Sequence, residues 1–196
     1  MALMRLFTCI YLSDAALDHL ELAVSGLGDS KRAGTQQLRW VPREQRHITL
    51  AFHGQVPDGS VPEFVALVGA GVVDVEPFEV SLSGGGSFSG RTLFTGVADG
   101  LAPLRALALI VEDAAEQTGF RVDSRAGGRP HLTLARAGVR RGVFPLDDWA
   151  HALALYRGPL FAVDQIHVVE SELGKGRGGG PLHRTIATVP LGHYQG

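Results

Sequence analysis

The chain has 196 residues, 45% of them hydrophobic and 19% charged, a composition that predicts a folded globular protein and excludes extended disorder. Its formal net charge of −2 argues against a protein that coats nucleic acid along its length, because such proteins are strongly basic. Its single cysteine, Cys9, excludes an internal disulfide, and without a signal peptide or an apolar run of about 20 residues we expect a cytoplasmic protein with no membrane partner.

The apolar pattern predicts helices interspersed with short strands. Strands are predicted over 5–12, 38–41, 47–53, 78–82, 92–97, 131–136, 161–170 and 185–189. Helices are predicted after a cap at Ser13 or Asp14 and over 61–73, 102–118 and 147–156. The glycine-rich segments SGGGSFSG (83–90) and GKGRGGGP (174–181), and the polar segment 121–129, are predicted loops. Neither glycine run opens a helix after a strand, as a phosphate-binding glycine loop does.

A repeated motif divides the chain into two similar halves. Residues 47–54 read HITLAFHG and residues 131–138 read HLTLARAG, and each copy falls on a predicted strand. No proline- or serine-rich linker separates the halves. We therefore predict an α+β fold with mostly antiparallel strands, in which two similar lobes share one cleft.

Each motif presents one imidazole and one hydroxyl on the same face of its strand. Side chains alternate along a strand, so His47 and Thr49 point one way, and so do His131 and Thr133. If a pseudo-two-fold relates the lobes, these four side chains surround one small volume. Threonine, not a ligand residue, follows each histidine by two positions, so a zinc site is disfavoured and we expect no metal.

Two imidazoles and two hydroxyls suit the cleavage of a phosphodiester. Imidazoles titrate near neutrality and can serve as general acid and general base, while hydroxyls can bind phosphoryl oxygens. Neither motif contains a serine or cysteine beside its histidine, so water is the expected nucleophile. A strained cyclic phosphate is the substrate that requires the least activation.

The chain resembles a known family over nearly its whole length. The segments that carry the resemblance are RLFTCIYL, HITLAFHG, GSF followed by TLFTGV, RPHLTLAR, FAVDQIHVVESEL and IATVPL. They resemble the 2H phosphoesterase superfamily and, within it, the RNA 2′,3′-cyclic phosphodiesterases, also called 2′-5′ RNA ligases. The resemblance implies one bilobal domain over 1–196. Two intertwined lobes, two mostly antiparallel sheets and flanking helices would surround a central cleft.

The resemblance also implies roles for the motif residues. A 2′,3′-cyclic phosphate on an RNA 3′ end or a nucleotide would be opened to a 2′-phosphate, without metal or cofactor, by a monomeric enzyme. His47 would be the acid that protonates O3′ and His131 the base that activates water. Thr49 and Thr133 would bind the phosphate. Arg136 would contact the phosphate or RNA backbone, which requires the strand to end, bulge or twist there, because strict alternation points it away.

Other aromatic and histidine positions have weaker assignments. Phe52 and Phe88 could stack on a nucleobase, although core packing is the commoner role of such side chains. His53 and His183 depart from the family's usual leucine and tyrosine and could alter the preference for a base or an RNA end. The remaining histidines outside any motif are expected to be surface or structural residues: His19, His151, His167 and His193.

Three functions remain open from the sequence. The first is hydrolysis at RNA ends, with weak 2′-5′ RNA ligation as its chemical reverse. The second is hydrolysis of small cyclic phosphates, such as nucleoside or ADP-ribose cyclic phosphates, by the same four residues. The third is a non-catalytic module that binds RNA ends. The retention of both histidines and both threonines disfavours that third function.

Overall fold

An antiparallel sheet of eight strands runs through the protein. The computed structural model describes residues 2–27, 38–121, 129–137, 146–176 and 179–192. The strands are β1 (Leu3–Tyr11), β2 (Leu38–Trp40), β3 (His47–Pro57), β4 (Phe78–Val80), β5 (Leu82–Phe88), β6 (Thr92–Val97), β7 (His131–Ala137), β8 (Phe161–Val163), β9 (Gln165–Glu172) and β10 (Leu182–Pro190). The helices are α1 (Asp14–Ser25), α2 (Val61–Val72), α3 (Leu101–Gln117) and α4 (Leu146–Ala152).

The strand order places the two motif strands side by side. The large sheet runs β10-β9-β1-β3-β7-β6-β5, with β2 also paired to β7, and β4 pairs with β8 in a small second sheet. The registers between these strands are antiparallel. The predicted α+β class, with antiparallel sheets and flanking helices, is confirmed. The two halves of the chain are joined through β3 and β7.

Elements from each half of the chain pack against elements of the other half. Strand β2 leaves the first half to pair with β7, and His19 of α1 contacts the hydroxyl of Tyr156 in the second half at 3.4 Å. Helix α3 follows β6 and packs against α2 and β3. Helix α4 packs on β5 and β6. These contacts between the two halves fix the positions of the two motif strands relative to each other.

The main core lies between the large sheet and its helices. Fully buried side chains such as Leu20, Phe64, Leu104 and Leu132 belong to this one cluster. A second, small cluster is formed by Phe7, Cys9 and Val169, with Tyr11 and Phe52 packed against it. It lies on the other face of the sheet, because Phe7 and Cys9 alternate with the core residue Leu6 along β1. That second face also carries the motif histidines and threonines.

Helix boundaries follow the predicted signals closely. Ser13 caps α1, its hydroxyl accepting a hydrogen bond from the amide of Ala16 at 3.3 Å. Helix α3 spans Leu101–Gln117 against the predicted 102–118, and Gly119 follows with a φ of 73°. Helix α4 ends at Ala152, so the prediction that it continues to residue 156 is wrong.

Two strand predictions and one loop prediction need correction. The predicted strand 78–82 is divided between β4 and β5, which belong to different sheets, and 161–170 is divided at Asp164 between β8 and β9. The predicted loop at 83–90 is wrong for most of its length, because residues 83–88 lie in β5. The predicted loops at 121–129 and 174–181 lie partly outside the described residues, and His193 lies outside them.

Tertiary packing explains why glycines occupy strand β5. A Cβ on Gly85 would lie 2.6 Å from the carbonyl oxygen of Ala150 and from the Cβ of Leu153. A Cβ on Gly86 would overlap the ring of Phe94. Glycine therefore allows α4 to approach one face of the strand and an aromatic ring to lie against the other.

Candidate active site

The junction between β3 and β7 brings the two motifs together. Ile48 pairs directly with Leu132, and both side chains are fully buried in the main core. In an antiparallel pair, this register sets His47 opposite Thr133 and Thr49 opposite His131 on the other face. The four side chains predicted from the alternation of the motifs thus converge on one volume.

Both motif histidines are held by the same backbone contact. The Nδ1 of His47 lies 2.7 Å from the carbonyl oxygen of Gln45, and the Nδ1 of His131 lies 2.9 Å from that of Arg129. A carbonyl only accepts hydrogen bonds, so each Nδ1 must carry the proton. In each neutral ring, Nε2 is therefore the unprotonated nitrogen that can accept a proton.

The turn that anchors His47 is tied to α1 by ion pairs. Gln45 closes a short 3₁₀ turn, Arg43–Gln45. Arg43 pairs with Asp14 at 3.0 Å and with Asp18 at 2.8 Å, and the largely buried Arg46 pairs with Glu21 at 3.3 Å. This network holds the carbonyl that orients the imidazole.

Burial and a nearby guanidinium keep both imidazoles neutral in the free protein. Burial lowers the pKa of His47 to about 4, and the positive charge of Arg136 acts in the same direction, as would a proton on His183. Burial also lowers the pKa of His131, and Arg136 and Arg129 contribute to that shift. The charge of Arg136 thus reaches both motif histidines.

A β-bulge turns Arg136 toward the histidines. Opposite β6, Leu93 pairs with Ala135 and Phe94 with Thr133, so Leu134 is an extra residue in β7. Leu134 and Ala135 are consequently both buried in the core, and the alternation is shifted by one. Arg136 therefore shares a face with Thr133, as its predicted role requires.

Aromatic rings flank the histidines on both sides. The ring of Phe88 lies 4.1 Å from that of Phe94 and 4.9 Å from that of His131, and Phe88 remains 36% exposed. Phe52 is half-buried, and the guanidinium of Arg5 lies 4.5 Å from the centre of its ring. Phe88 therefore packs on Phe94 at the surface rather than in the core, and the stacking of a nucleobase on it stays a prediction.

Comparison with known proteins identifies the family. The model of the 2′-5′ RNA ligase superfamily matches residues 16–175. The chain belongs to this superfamily. It is 33% identical over 156 residues to a Geobacillus stearothermophilus protein named RNA 2′,3′-cyclic phosphodiesterase, a match that covers 78% of this chain and 47% of the relative. The chain thus spans about half the length of that relative.

Other similar proteins match over their whole length. A Methanothermobacter thermautotrophicus protein, also named RNA 2′,3′-cyclic phosphodiesterase, is 28% identical over 95% of this chain and 98% of its own. E. coli LigT complexed with 3′-AMP is 19% identical with a TM-score of 0.71, covering 97% of this chain and 99% of that one. A Thermus thermophilus protein of known structure is 23% identical with a TM-score of 0.69, covering 96% and 98%. The two structures show the same fold.

Two histidines outside the motifs lie on the site face, and the sequence predicts an influence on substrate preference for only one of them, His183. In this superfamily member, the ring of His183 lies 5.5 Å from that of His47. The ring of His167, predicted to be a surface or structural residue, lies 4.8 Å from that of Tyr11, which is itself 6.2 Å from His47. Both histidines come from β9 and β10, which reach the site only through the strand order. No local motif marks them.

His53 does not reach the site. Its ring packs in the main core 4.8 Å from Phe64 and 6.1 Å from Phe120, on the face of β3 opposite to His47. The extra residue Leu50 in β3 shifts the alternation by one, so Phe52 faces the site and residue 53 points inward. The expectation that His53 alters substrate preference is therefore wrong.

Four arginines surround strand β7 without an ion pair to a carboxylate in the described part of the chain: Arg39, Arg91, Arg129 and Arg136. Elsewhere, ion pairs neutralise Arg43, Arg46, Arg157 and Arg184. The other described arginines, Arg5, Arg105 and Arg121, lie away from β7 and form no ion pair with a described carboxylate. Arg39 of β2 lies opposite Arg136 of β7 in the register of the two strands. A chain of net charge −2 thus presents a local cationic surface beside the motifs.

The described residues contain neither a metal-binding cluster nor a membrane-spanning helix. No three His, Cys, Asp or Glu side chains among them, the site histidines included, are arranged to hold a metal ion. None of the helices described is long and apolar enough to cross a bilayer.

Proposed function

We propose that this protein is a metal-independent phosphodiesterase that opens the 2′,3′-cyclic phosphate at an RNA 3′ end to a 2′-phosphate. The observation that carries the proposal is the matched pair of imidazoles, His47 and His131. Each has its Nδ1 bound to a backbone carbonyl and each lies opposite a motif threonine. The names of the Geobacillus and Methanothermobacter relatives support the same activity.

The paired histidines account for both proton transfers of the reaction. His131 Nε2 removes a proton from water, whose oxygen attacks phosphorus and forms the new P–O bond. The bond from phosphorus to O3′ breaks, and protonated His47 gives its Nε2 proton to that oxygen. Thr49 and Thr133 donate hydrogen bonds to the non-bridging oxygens of the phosphate. The products are a 2′-phosphate and a free 3′-hydroxyl.

His47 must gain a proton before it can act as the acid. In the free protein, burial and the charge of Arg136 lower its pKa to about 4, so the ring is neutral at pH 7. A bound cyclic phosphate carries one negative charge, which offsets Arg136 and raises the pKa of the imidazole. Substrate binding is therefore accompanied by proton uptake at His47.

The cationic surface favours an RNA end over a small cyclic phosphate. The arginines around β7 extend beyond the volume between the histidines, and the phosphates of a longer strand would neutralise them. The retained histidines and threonines disfavour a module that only binds RNA. A ribose 5′-hydroxyl bound in place of water would give weak 2′-5′ ligation by the same proton transfers.

Product analysis tests this proposal. Adenosine 2′,3′-cyclic phosphate and a short RNA ending in the same group are incubated with the protein in the presence of EDTA, and 2′- and 3′-phosphates are separated. We expect only 2′-phosphate, no effect of EDTA, and a higher kcat/KM for the RNA. A 3′-phosphate product or complete inhibition by EDTA would contradict the proposed mechanism. A well-folded protein that binds the RNA end without turnover would support the binding module instead.

A further inference from the structure

His183 brings a third imidazole to the site from a distant part of the chain. It lies on the outer strand β10, where it pairs with Ser171 of β9. Its ring is 5.5 Å from that of His47 and 5.0 Å from that of Phe7, which itself stacks on His47 at 4.8 Å. The imidazoles of His183 and His47 therefore both pack against the ring of Phe7.

The two nitrogens of His183 have different surroundings. Its Nδ1 is buried and finds no hydrogen-bond partner among the described residues. The ring as a whole is only half-buried, so Nε2 is the nitrogen available to a ligand. The enclosed Nδ1 reaches no acceptor for a proton, whereas a proton on Nε2 can be donated to a ligand. An anion at the site therefore selects the tautomer that carries its proton on Nε2.

This tautomer is the opposite of the one at the two motif histidines. In their neutral forms His47 and His131 keep the proton on Nδ1 and present an unprotonated Nε2. A neutral ring of that kind accepts hydrogen bonds and cannot donate one to a phosphoryl oxygen. A neutral His183 presents an N–H and can donate.

The charges around His183 keep it neutral and make its surroundings attractive to an anion. Burial lowers its pKa, and the guanidinium of Arg136 on β7 contributes to the shift. His47 faces it from β3. On its own strand, the positive charge of Arg184 is paired with Glu170 of β9. The N–H donor of His183 thus lies close enough to Arg136 for the positive charge of the guanidinium to stabilise an anion bound there.

We propose that His183 is a further anion-binding residue of this site, whose Nε2–H donates a hydrogen bond to a phosphoryl oxygen of the bound substrate and of the 2′-phosphate product. The identity of that substrate rests on the function proposed above, but the binding of a phosphate group does not. A histidine present only to pack against Phe7 would be replaced without loss by phenylalanine, which leaves no unpaired nitrogen.

Two substitutions separate hydrogen bonding from packing. His183→Gln retains an N–H donor at a similar distance along the side chain, whereas His183→Phe retains a ring against Phe7 and has no donor. The binding of inorganic phosphate and of adenosine 2′-monophosphate is measured by calorimetry at pH 7.5 for both variants and the unaltered protein. His151→Gln, at an exposed position on α4, is the matched control. Thermal unfolding shows that each variant is folded.

The expected result is a loss of affinity in one variant and not in the others. A hydrogen bond to a charged group is worth enough that His183→Phe should bind both ligands about tenfold more weakly. His183→Gln should remain within about threefold of the unaltered protein. If folded His183→Phe binds both ligands with unchanged affinity, or if His183→Gln is as weak as His183→Phe, the proposal is overturned.

These measurements do not depend on turnover. Phosphate binding that requires a donor at position 183, in a protein that hydrolyses no cyclic phosphate, would support this inference and contradict the proposed function. Turnover of the RNA substrate with phosphate binding independent of His183 would do the reverse.

Discussion

Leu50 and Leu134 occupy equivalent β-bulges in the two motif strands. Each is the extra residue between the motif threonine and the following alanine. Leu50 has no partner of its own between Thr8 and Cys9 of β1. Leu134 has none between Leu93 and Phe94 of β6. Each bulge buries two consecutive residues and turns the next side chain back toward the site. That next residue is Phe52 in the first motif and Arg136 in the second, so the duplicated backbone presents an aromatic ring on one side and a cation on the other.

The position of Arg136 predicts two effects of Arg136→Ala. The KM for a cyclic phosphate should rise about 10- to 100-fold, because a charge-assisted contact to the phosphate is lost. The pKa of His47 in the free protein should rise, because the guanidinium that lowers it has been removed. Steady-state kinetics and titration of the histidine resonances by NMR check these effects. Arg105→Ala, at an exposed position on α3, is the control, and an unchanged KM would exclude the phosphate contact.

The close packing on β5 predicts that Gly86→Ala reduces activity. A Cβ at this position would displace the ring of Phe94, which packs 5.3 Å from that of His131. We expect kcat/KM to fall about tenfold or more, since small misplacements of reacting groups have large effects on rate. Gly59→Ala is the matched control, because a Cβ there meets nothing within 4 Å. Equal activity of the two variants would mean that Phe94 does not position the imidazole.

Alternation along the motif strands was sufficient to predict the four central side chains. The repeat fixes which face His47 and His131 occupy, and both faces are defined by buried neighbours such as Ile48 and Leu132. The antiparallel α+β class followed from the same pattern. Alternation alone does not predict the bulge at Leu134, because the bulge depends on the pairing of β7 with β6.

The remaining errors arise from contacts between distant segments. Glycines are poor strand formers, and only the packing of α4 and Phe94 explains why they occupy β5. His167 reaches the site face through the strand order, which the local sequence does not reveal. His53 follows the bulge at Leu50, which reverses its side relative to His47, so its inward orientation could not be derived from alternation alone.

The buried position of His53 predicts a pH-dependent effect on stability. Burial lowers its pKa to about 4, below the ordinary value of 6.5 in the unfolded chain, so the unfolded state binds more protons as the pH falls. Stability is therefore fully present above pH 6.5 and is lost as the pH falls from 6.5 toward 4. From pH 7.5 to 5, this one group should cost roughly 2 kcal/mol.

His53→Leu should remove that loss, because leucine cannot be protonated and leaves no unpaired Nδ1 in the core. Urea unfolding at pH 7.5 and pH 5 measures the difference. We expect the variant to gain stability relative to the unaltered protein mainly at pH 5. A gain of equal size at both values would show that protonation of His53 does not contribute.

The exposed ring of Phe88 predicts a contribution to nucleobase binding. Phe88→Ala should raise the KM for adenosine 2′,3′-cyclic phosphate about 5- to 100-fold, in line with the loss of one base-stacking contact. Ribose 2′,3′-cyclic phosphate, which has no base, is the control substrate and should show little change. Leu155→Ala, at a position that is 96% exposed, controls for the loss of an apolar surface group. Equal losses with both substrates would instead indicate that Phe88 acts by supporting His131.

The most direct test of the paired-histidine site compares His47→Asn, His131→Asn and the double variant in the hydrolysis of a short RNA with a 2′,3′-cyclic phosphate end. If the two imidazoles act as acid and base in one reaction, each single variant should lose at least about 10²-fold in kcat. The double variant should lose far less than the product of the two single losses. Losses that multiply independently, or near-normal turnover in either single variant, would show that His47 and His131 do not form one catalytic site.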